Sequence, residues 1–183
     1  MKPLFSDVPV LGNKYKYGDW KLYAVHDAHS IRGFFGDYRF LGNFEGAEVY
    51  LDDLLFSNLE NAYQFAKLKP FPRTQKGYMD YTRIKAQVML MSAKESKKWG
   101  NTIDLREDWE KVKYDVMASL VFDKFYRHPK LRRQLLATDN KYLEETNHWH
   151  DNIWGNCVCP RCEKIVGKNQ LGRILTKTRD FWQ

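Results

Sequence analysis

Cysteine is scarce in this chain, and the few cysteines lie together. The 183 residues include three cysteines, all within residues 157–162. An odd number in one short cluster does not form a disulfide framework, which excludes the class of small secreted domains held together by disulfides. We therefore expect a reducing compartment and a cytoplasmic location.

Long apolar runs are also missing. No stretch of about 18 apolar residues occurs, which excludes a conventional membrane-spanning helix. The first residues lack the apolar segment and the small-residue cleavage site of a signal peptide. Internal repeats and linkers rich in glycine, serine or proline are absent as well. The sequence predicts a single domain over residues 1–183 with no membrane partner, and it leaves the oligomeric state open.

The composition is that of a folded, basic protein. Hydrophobic residues make up 43% and aromatic residues 15% of the chain, which argues against intrinsic disorder. Thirty Lys and Arg residues outnumber 23 Asp and Glu residues, giving a net charge of +7. A positive surface of this kind indicates an anionic partner without identifying it.

Strand patterns dominate the first part of the chain. Aromatic and β-branched residues predict strands over residues 20–25, 48–51 and 54–56, with Asp52 and Asp53 as the turn between the last two. A further strand is predicted over residues 142–146.

Helical patterns dominate the rest of the chain. The spacing of Ser57 and Glu60 fits a capping box that opens a helix to about residue 68, where Pro70 and Pro72 end it. Apolar periodicity predicts further helices. They span residues 81–99 as one or two helices ended by Gly100, residues 108–127, residues 129–136 and residues 169–178. We predict an α+β, helix-dominated single domain with a small sheet built mainly from the N-terminal part.

The first helix carries an unusual polar face. At about 100° per residue, Glu60, Tyr63, Gln64 and Lys67 fall on one side, opposite an apolar side. An acid, a phenol, an amide and an amine within two turns would suit a catalytic cleft. The competing interpretation is a solvated face on which Glu60 acts only as a helix cap.

Aromatic and polar side chains cluster again at residues 148–155. This segment holds two indoles, two imidazoles and the carboxylate of Asp151, and it ends with Trp154 and Gly155. Tryptophan in a polar loop suits stacking against a base or a sugar. The alternative is a tryptophan that anchors the loop to the core.

The cysteines and a nearby histidine match the ligand set of a Cys₃His zinc site. Cys157, Cys159 and Cys162 follow two histidines. His150 is the preferred fourth ligand and His148 the alternative. The C-x-C step is tight and has no second C-x₂-C pair beside it, so three free thiols are the competing interpretation. Catalytic zinc motifs are absent, and any zinc would shape this loop rather than activate water.

Residues 167–172 precede the last helix. Free backbone N–H groups at the helix start, together with Lys168, would form an anion site. A plain helix cap with close packing at Gly172 explains the same residues equally well.

Short motifs follow one another along most of the chain. They are Phe-Leu-Gly-Asn-Phe at 40–44, Leu-Glu-Asn-Ala-Tyr-Gln-Phe-Ala-Lys at 59–67, Asp108 and Trp109 with Lys113 and Met117, Lys124 and Phe125, Leu143 and Glu144, Asp151 with Trp154 and Gly155, and residues 167–172. Taken in this order, they resemble the NADAR family, also called the YbiA-like family. The resemblance covers about residues 33–179, and residues 1–32 are assigned to a strand-bearing N-terminal extension. Two departures are visible: Gly42 stands where the family usually has serine, and a cysteine segment replaces a glycine-rich loop.

The resemblance implies a hydrolase that cleaves a ribose C1′–N bond, an N-glycosidase. We expect it to remove ADP-ribose from guanine in nucleic acid or nucleotides. The alternative substrates are phosphoribosylated amino-pyrimidine intermediates of riboflavin synthesis. A non-catalytic nucleic-acid-binding module is the competing class.

The expected roles follow from the chemistry of that bond. Lys67 is the expected nucleophile, forming an imine with C1′, and Glu60 transfers protons. No cofactor is expected for catalysis, although one structural zinc is compatible with the sequence. The expected substrate-binding residues are Trp109 and Trp154 for stacking, Asn43, Asp151 and Asn169 for hydroxyl groups, Lys168 for phosphate, and Tyr63, Gln64 and Gly155 along the cleft.

Overall fold

The computed structural model describes residues 24–183, which form six α-helices, two short 3₁₀ helices and seven short strands. Most of the strand predicted over residues 20–25 therefore lies outside the described residues. The strands are β1 (Val25–His26), β2 (Ser30–Arg32), β3 (Val49–Leu51), β4 (Leu54–Phe56), β5 (Tyr142–Glu144), β6 (Thr146–Asn147) and β7 (Asn156–Cys157). The helices are α1 (Leu59–Ala66), α2 (Gln75–Leu90), α3 (Ala93–Trp99), α4 (Trp109–Arg127), α5 (Pro129–Leu136) and α6 (Gln170–Trp182).

The predicted α+β, helix-dominated fold class is confirmed, but the sheet prediction is wrong in one respect. Three small sheets form among the described residues, in the orders β1-β2-β5, β3-β4 and β6-β7. β2 pairs in parallel with β5, and β6 pairs in parallel with β7. Four of the seven described strands precede residue 57, in agreement with a sheet content mainly from the N-terminal part, and three follow residue 140. The parallel pairing of β5 with β2 joins the late strands to the early ones.

The predicted hairpin of β3 and β4 is confirmed. Val49 lies opposite Phe56 in an antiparallel register. Asp52 and Asp53 both adopt the left-handed conformation, with φ of 48° and 62°. Two consecutive positive φ values are typical of a type I′ turn, whose twist matches that of the flanking strands.

The start of α1 corrects the predicted capping box. Asn58, not Ser57, caps the helix, and its Oδ1 accepts the N–H of Asn61 at 2.9 Å. The Glu60 side chain bonds to other side chains instead of the helix start. A capping box does occur at α3, where Ser92 and Glu95 bond reciprocally.

The other helices follow the apolar pattern closely. The segment predicted over residues 81–99 is two helices. The first of them, α2, begins earlier than predicted, at Gln75, because the side chain of Thr74 accepts the Gly77 N–H and caps the helix. α4 and α5 match their predicted bounds to within one residue, whereas α6 continues to Trp182. No helix within residues 24–183 combines the length and the apolar character needed to cross a membrane.

The chain divides into two compact units, and the predicted single domain stays a prediction. The helical unit comprises Arg39–Asp139 with Ile174–Gln183, and α1 lies at its centre, in contact with α2, α3, α4 and both strands of the hairpin. The strand unit comprises residues 24–38 with Asn140–Arg173. Buried Ile31, Leu143 and Leu171 contribute to its core.

Asn61 gives a test of how the helical unit is held together. Its Nδ2 donates to the carbonyls of Val88 at 3.0 Å and Met91 at 2.8 Å, at the end of α2. Asn61→Ala leaves both carbonyls without this donor, and we expect unfolding to become easier by about 1–3 kcal/mol. Thermal denaturation should show this loss, whereas Asn101→Ala at an exposed position should change stability by less than about 0.5 kcal/mol. Equal stability of both variants would contradict this role.

Candidate active site

The polar face of α1 is buried, which excludes the solvated-face interpretation. Glu60 is 2% exposed, Tyr63 is 4% exposed and Gln64 is fully buried. Lys67 follows as the C-cap of the helix and is half-buried. The helix therefore carries four polar side chains at a place where each of them needs a partner or a function.

Glu60 is the buried carboxylate of this group. Gln64 Nε2 donates to Glu60 Oε1 at 2.6 Å, and Lys97 Nζ lies 3.6 Å from the same oxygen. The carboxylate can only accept hydrogen bonds, which fixes the orientation of the Gln64 amide. Lys97 was not predicted, because it lies on α3, 37 residues beyond Glu60 along the chain, where no local spacing links the two residues.

Position 100 has room only for glycine, because the side chain of Gln64 packs directly against it. A Cβ atom on Gly100 would lie 1.8 Å from Gln64 Oε1 and 2.7 Å from Gln64 Cδ. Any larger residue would therefore displace the amide that positions Glu60. The glycine was predicted only as a helix stop, so its contact with the site was missed.

Lys67 has the electrostatic properties of a nucleophilic amine. Burial, followed by the positive charge of Lys97, lowers the pKa of Lys67 to about 8, while the negative charge of Glu60 acts in the opposite sense. At a pKa of about 8, about one amine in ten is neutral at pH 7, compared with about one in several thousand at the reference pKa. The Nζ atom lies 5.5 Å from the centre of the Tyr63 ring.

The aromatic side chains beside this group are Tyr63 and Trp109. Their ring centres are 5.1 Å apart with the planes tilted at 58°. Trp109 is only 5% exposed, because it is the first residue of the buried stripe of α4. It packs against Tyr63 of α1, and most of its surface contacts protein, so its stacking on a substrate stays a prediction.

Asn43 lies at the start of α1, beside Glu60. Its backbone carbonyl accepts the Glu60 N–H at 3.2 Å, and its buried Oδ1 has no hydrogen-bond partner among the described residues.

Lys124 holds the turn before Asn43 by donating to the carbonyls of Phe40 at 2.6 Å and Gly42 at 2.8 Å. Burial lowers the pKa of this lysine to about 7. Lys124 therefore positions Asn43, a role that its place in the apolar stripe of α4 would have signalled.

A cavity of about 820 Å³ borders α1 in the helical unit. Its lining includes Phe65, Ala66 and Leu68 but neither Glu60 nor Lys67. The cavity therefore reaches the end of α1 without taking in the side chains that were predicted to be catalytic.

Asp151 in the strand unit builds a loop. Its Oδ1 accepts the N–H groups of Ile153 at 3.0 Å and Trp154 at 2.8 Å. Asn147 fixes the same residue from both sides, accepting its N–H and donating to its carbonyl. Gly155 is buried, and a Cβ atom there would lie 2.1 Å from the Glu145 carbonyl. Asp151 and Gly155 are thus explained by the loop they form.

The start of α6 corrects the predicted anion site. The N–H groups of residues 168–171 all donate to backbone carbonyls of residues 152–155, at 2.8–3.2 Å. Because these amides are already bonded, they are not free to bind a phosphate, and the alternative of a plain cap is the better description. Gly172 packs closely, since a Cβ atom there would lie 2.1 Å from the Leu143 carbonyl. Lys168 is exposed, so only its side chain offers a positive charge.

Asn169 connects this helix start to β5. It adopts the left-handed conformation with φ of 47°, and its Oδ1 accepts the Glu145 N–H at 3.1 Å. Its Nδ2 donates to the Leu143 carbonyl at 2.8 Å and lies 3.2 Å from the Tyr142 hydroxyl. Its amide group is therefore occupied by protein partners.

Glu144 is a second buried carboxylate, and no role was predicted for it. It is 6% exposed, and its two oxygens accept hydrogen bonds from Tyr142 at 3.1 Å and Thr146 at 2.8 Å. Burial, and then the negative charge of Glu144, raise the pKa of the Tyr142 hydroxyl. The tyrosine therefore remains a neutral donor to this carboxylate.

The histidine and cysteine side chains converge as the zinc hypothesis requires. His150 and the three cysteines place their ligand atoms within 4.8 Å of one another. His148 is not a member of this group; its ring contacts Trp149 instead. The structure thus selects His150 from the two candidates.

The predicted site residues fall into two groups. Asn43, Glu60, Tyr63, Gln64, Lys67 and Trp109 are in the helical unit, and Asp151, Trp154, Gly155, Lys168, Asn169 and the zinc candidates are in the strand unit. Within the helical unit the side chains around Glu60 and Lys67 are brought together. Within the strand unit the predicted binding residues mainly support the loop of residues 150–162 and the start of α6.

Comparison with known proteins gives three findings. A riboflavin biosynthesis protein of Vibrio vulnificus, VVA0006, is 30% identical over 79% of this chain, although the match spans only 35% of the Vibrio protein. The N-glycosidase Npun_R5314 of Nostoc punctiforme is 29% identical over 78% of this chain and 85% of its own length. The NMR structure of Escherichia coli YbiA superposes with a TM-score of 0.66 at 25% identity, covering 88% of this chain and 89% of that one.

The family match agrees with these relatives. The NADAR domain matches residues 26–182, a region that includes His26 of β1 and the whole of β2, which the sequence assigned to an N-terminal extension. The N-glycosidase names of relatives from Nostoc punctiforme and Escherichia coli agree with the predicted enzyme class. The predicted family is confirmed: this chain belongs to the NADAR family.

Proposed function

We propose that this protein is an N-glycosidase that removes ADP-ribose from guanine through an imine between Lys67 and the sugar. The observation that carries the proposal is the state of Lys67, a half-buried amine whose pKa is lowered to about 8. It shares a buried helix face with the carboxylate of Glu60. A neutral amine beside a proton-transferring acid is the combination that imine chemistry needs.

The reaction begins with opening of the sugar ring. The C1′–O4′ bond breaks, the glycosidic nitrogen loses its proton and forms a double bond to C1′, and O4′ gains a proton. The neutral Nζ of Lys67 then adds to C1′. The bond between C1′ and the base nitrogen breaks, and that nitrogen leaves as an amine after gaining the two protons that Nζ loses as it forms the imine. Water hydrolyses the Lys67 imine, releasing the sugar aldehyde and restoring the amine.

Glu60 is assigned the proton transfers. It takes each of the two protons lost from Nζ in turn and gives it to the leaving nitrogen. Gln64 holds one of its oxygens at 2.6 Å, which makes Gln64 a positioning residue for this carboxylate. Lys97 Nζ lies 3.6 Å from the same oxygen, and its positive charge helps to lower the pKa of Lys67.

Substrate-binding roles are proposed separately for the helical unit, which holds Asn43, and for the strand unit, which holds Lys168 and Trp154. The unpartnered Oδ1 of Asn43 suits a sugar hydroxyl, which can donate to it. The exposed side chain of Lys168 suits a phosphate. Asp151 and Asn169 support their loop through protein partners, and we assign them to positioning. Trp154 is half-buried and keeps its proposed stacking role.

The net charge of +7 supports a polyanionic substrate such as ADP-ribosylated nucleic acid. One comparison favours a second candidate: the Vibrio vulnificus relative is named a riboflavin biosynthesis protein and aligns over 79% of this chain. A phosphoribosylated amino-pyrimidine is therefore the alternative substrate.

Incubation of the protein with each substrate, followed by chromatography of the released base, distinguishes the two candidates. A folded protein that binds both and cleaves neither would favour the nucleic-acid-binding alternative.

The imine route also predicts a restriction on the glycosidic nitrogen. Ring opening needs a hydrogen on that nitrogen, which an exocyclic amino group has and a ring nitrogen lacks. We expect the enzyme to release guanosine from a substrate that carries ADP-ribose on the exocyclic amino group of the base. The N9–ribose bond of guanosine itself should not be cleaved. Chromatography of matched reactions checks this. Cleavage of guanosine at a similar rate would exclude the imine route.

Substitution of Lys67 tests the nucleophile directly. Lys67→Ala and Lys67→Arg should both lower turnover by at least about 100-fold, because a guanidinium keeps the charge but forms no imine. Borohydride reduction with substrate should add the reduced sugar mass to Lys67 of the wild type and to neither variant. The exposed Lys98 supplies the control, since Lys98→Arg should keep full activity. A trapped sugar on another lysine, or an active Lys67→Arg, would contradict the assignment.

The pH dependence of the rate tests the role of Lys97. Activity should rise with pH through about 8, because only the neutral form of Lys67 is a nucleophile. Lys97→Gln removes a like charge, so the pKa of Lys67 should rise and the midpoint of the pH–rate profile should move to higher pH. The profile of Lys98→Gln is the matched control. An unchanged midpoint in Lys97→Gln would contradict the proposed coupling.

A further inference from the structure

We propose that the strand unit binds one structural zinc ion through His150 Nδ1 and the Sγ atoms of Cys157, Cys159 and Cys162. The four ligand atoms lie within 4.8 Å of one another, and all three thiols are buried and free of disulfides. Three cysteines and one histidine are a common ligand set of structural zinc sites.

The distances between the ligand atoms fit the tetrahedral coordination of one zinc ion. Zinc–sulfur and zinc–nitrogen distances of about 2.3 and 2.0 Å place a sulfur and a nitrogen ligand about 3.5 Å apart. His150 Nδ1 lies 3.2 Å from Cys159 Sγ and 3.4 Å from Cys162 Sγ. A small adjustment of the side chains would bring these atoms to the coordination distances.

Hydrogen-bond donors already surround the sulfur atoms. The His150 N–H donates to Cys157 Sγ at 3.3 Å, and Asn152 Nδ2 donates to Cys162 Sγ at 3.3 Å. Such donors stabilise thiolates, which are the form that binds zinc. Asn152 Oδ1 also accepts the Cys157 N–H at 3.0 Å, so one side chain links two ligand residues.

The ligand set indicates a structural role. Four protein ligands complete a tetrahedral coordination sphere and leave no position for water or substrate. The ion would join His150 to the cysteine segment and so close the loop of residues 150–162. The carbonyls of residues 152–155, which accept the amides at the start of α6, belong to that loop.

Metal analysis of the full-length protein, purified without chelator, tests the site independently of any substrate. We expect about one zinc per chain in the wild type, because structural sites of this type bind tightly enough to survive purification. The zinc content of the His150→Ala variant should fall below about one third of the wild-type value. His148→Ala is the matched control and should keep the metal, and His150→Cys should restore binding through a fourth thiolate.

Thiol accessibility gives a second measurement that does not depend on the folding of any variant. In the wild type, the cysteines should resist a thiol reagent until a strong chelator is added, and three thiols should then react while one zinc is released. Less than about 0.2 zinc per chain in the wild type after incubation with added zinc and dialysis would overturn the proposal. Retention of zinc by His150→Ala with loss in His148→Ala would overturn the ligand assignment. Activity on an N-riboside is measured separately, so loss of one proposal leaves the other intact.

Discussion

Helix α1 is buried along its whole length although half of its residues are polar, and the helical unit is arranged around these polar side chains. Asn61 donates to the end of α2, and Gln64 donates to Glu60 while packing on Gly100. The other atom of each amide, Oδ1 of Asn61 and Oε1 of Gln64, is buried and has no hydrogen-bond partner among the described residues. A buried polar group without a partner costs about 1–3 kcal/mol, so the polar face that carries Glu60 and Lys67 is maintained at a cost in stability.

Burial is used in two different ways for the lysines of this unit. Lys124 is enclosed, and this burial lowers its pKa. Its amine donates to two backbone carbonyls, so the side chain positions the backbone. Lys67 is only partly enclosed, and its positive neighbour Lys97 adds to the effect of burial. An amine that is accessible and about one tenth neutral at pH 7 can react, whereas an enclosed amine cannot reach a substrate. This difference in exposure separates the proposed nucleophile from the structural lysine.

Local patterns predicted much of this structure, and contacts between distant segments explain the errors. The apolar spacing of α4 and the two aspartates of the hairpin turn depend on neighbouring residues, and both were predicted correctly. The parallel pairing of β2 with β5 joins residues more than a hundred positions apart, which no local pattern contains. The polar face of α1 was visible from the sequence, but its partner Lys97 and the close approach of Gly100 were not, because both come from another helix.

The loop of residues 150–162 shows the same dependence on nonlocal chemistry. A glycine-rich loop would follow its path because glycine adopts conformations that other residues avoid. Here His150 adopts the left-handed conformation with φ of 68°, and the loop is fixed by Asp151 and Asn152 through side-chain bonds to backbone amides. In the proposed site, metal coordination adds a crosslink at the base of this loop. Because the start of α6 depends on carbonyls from the same loop, the proposed crosslink would stabilise both elements together.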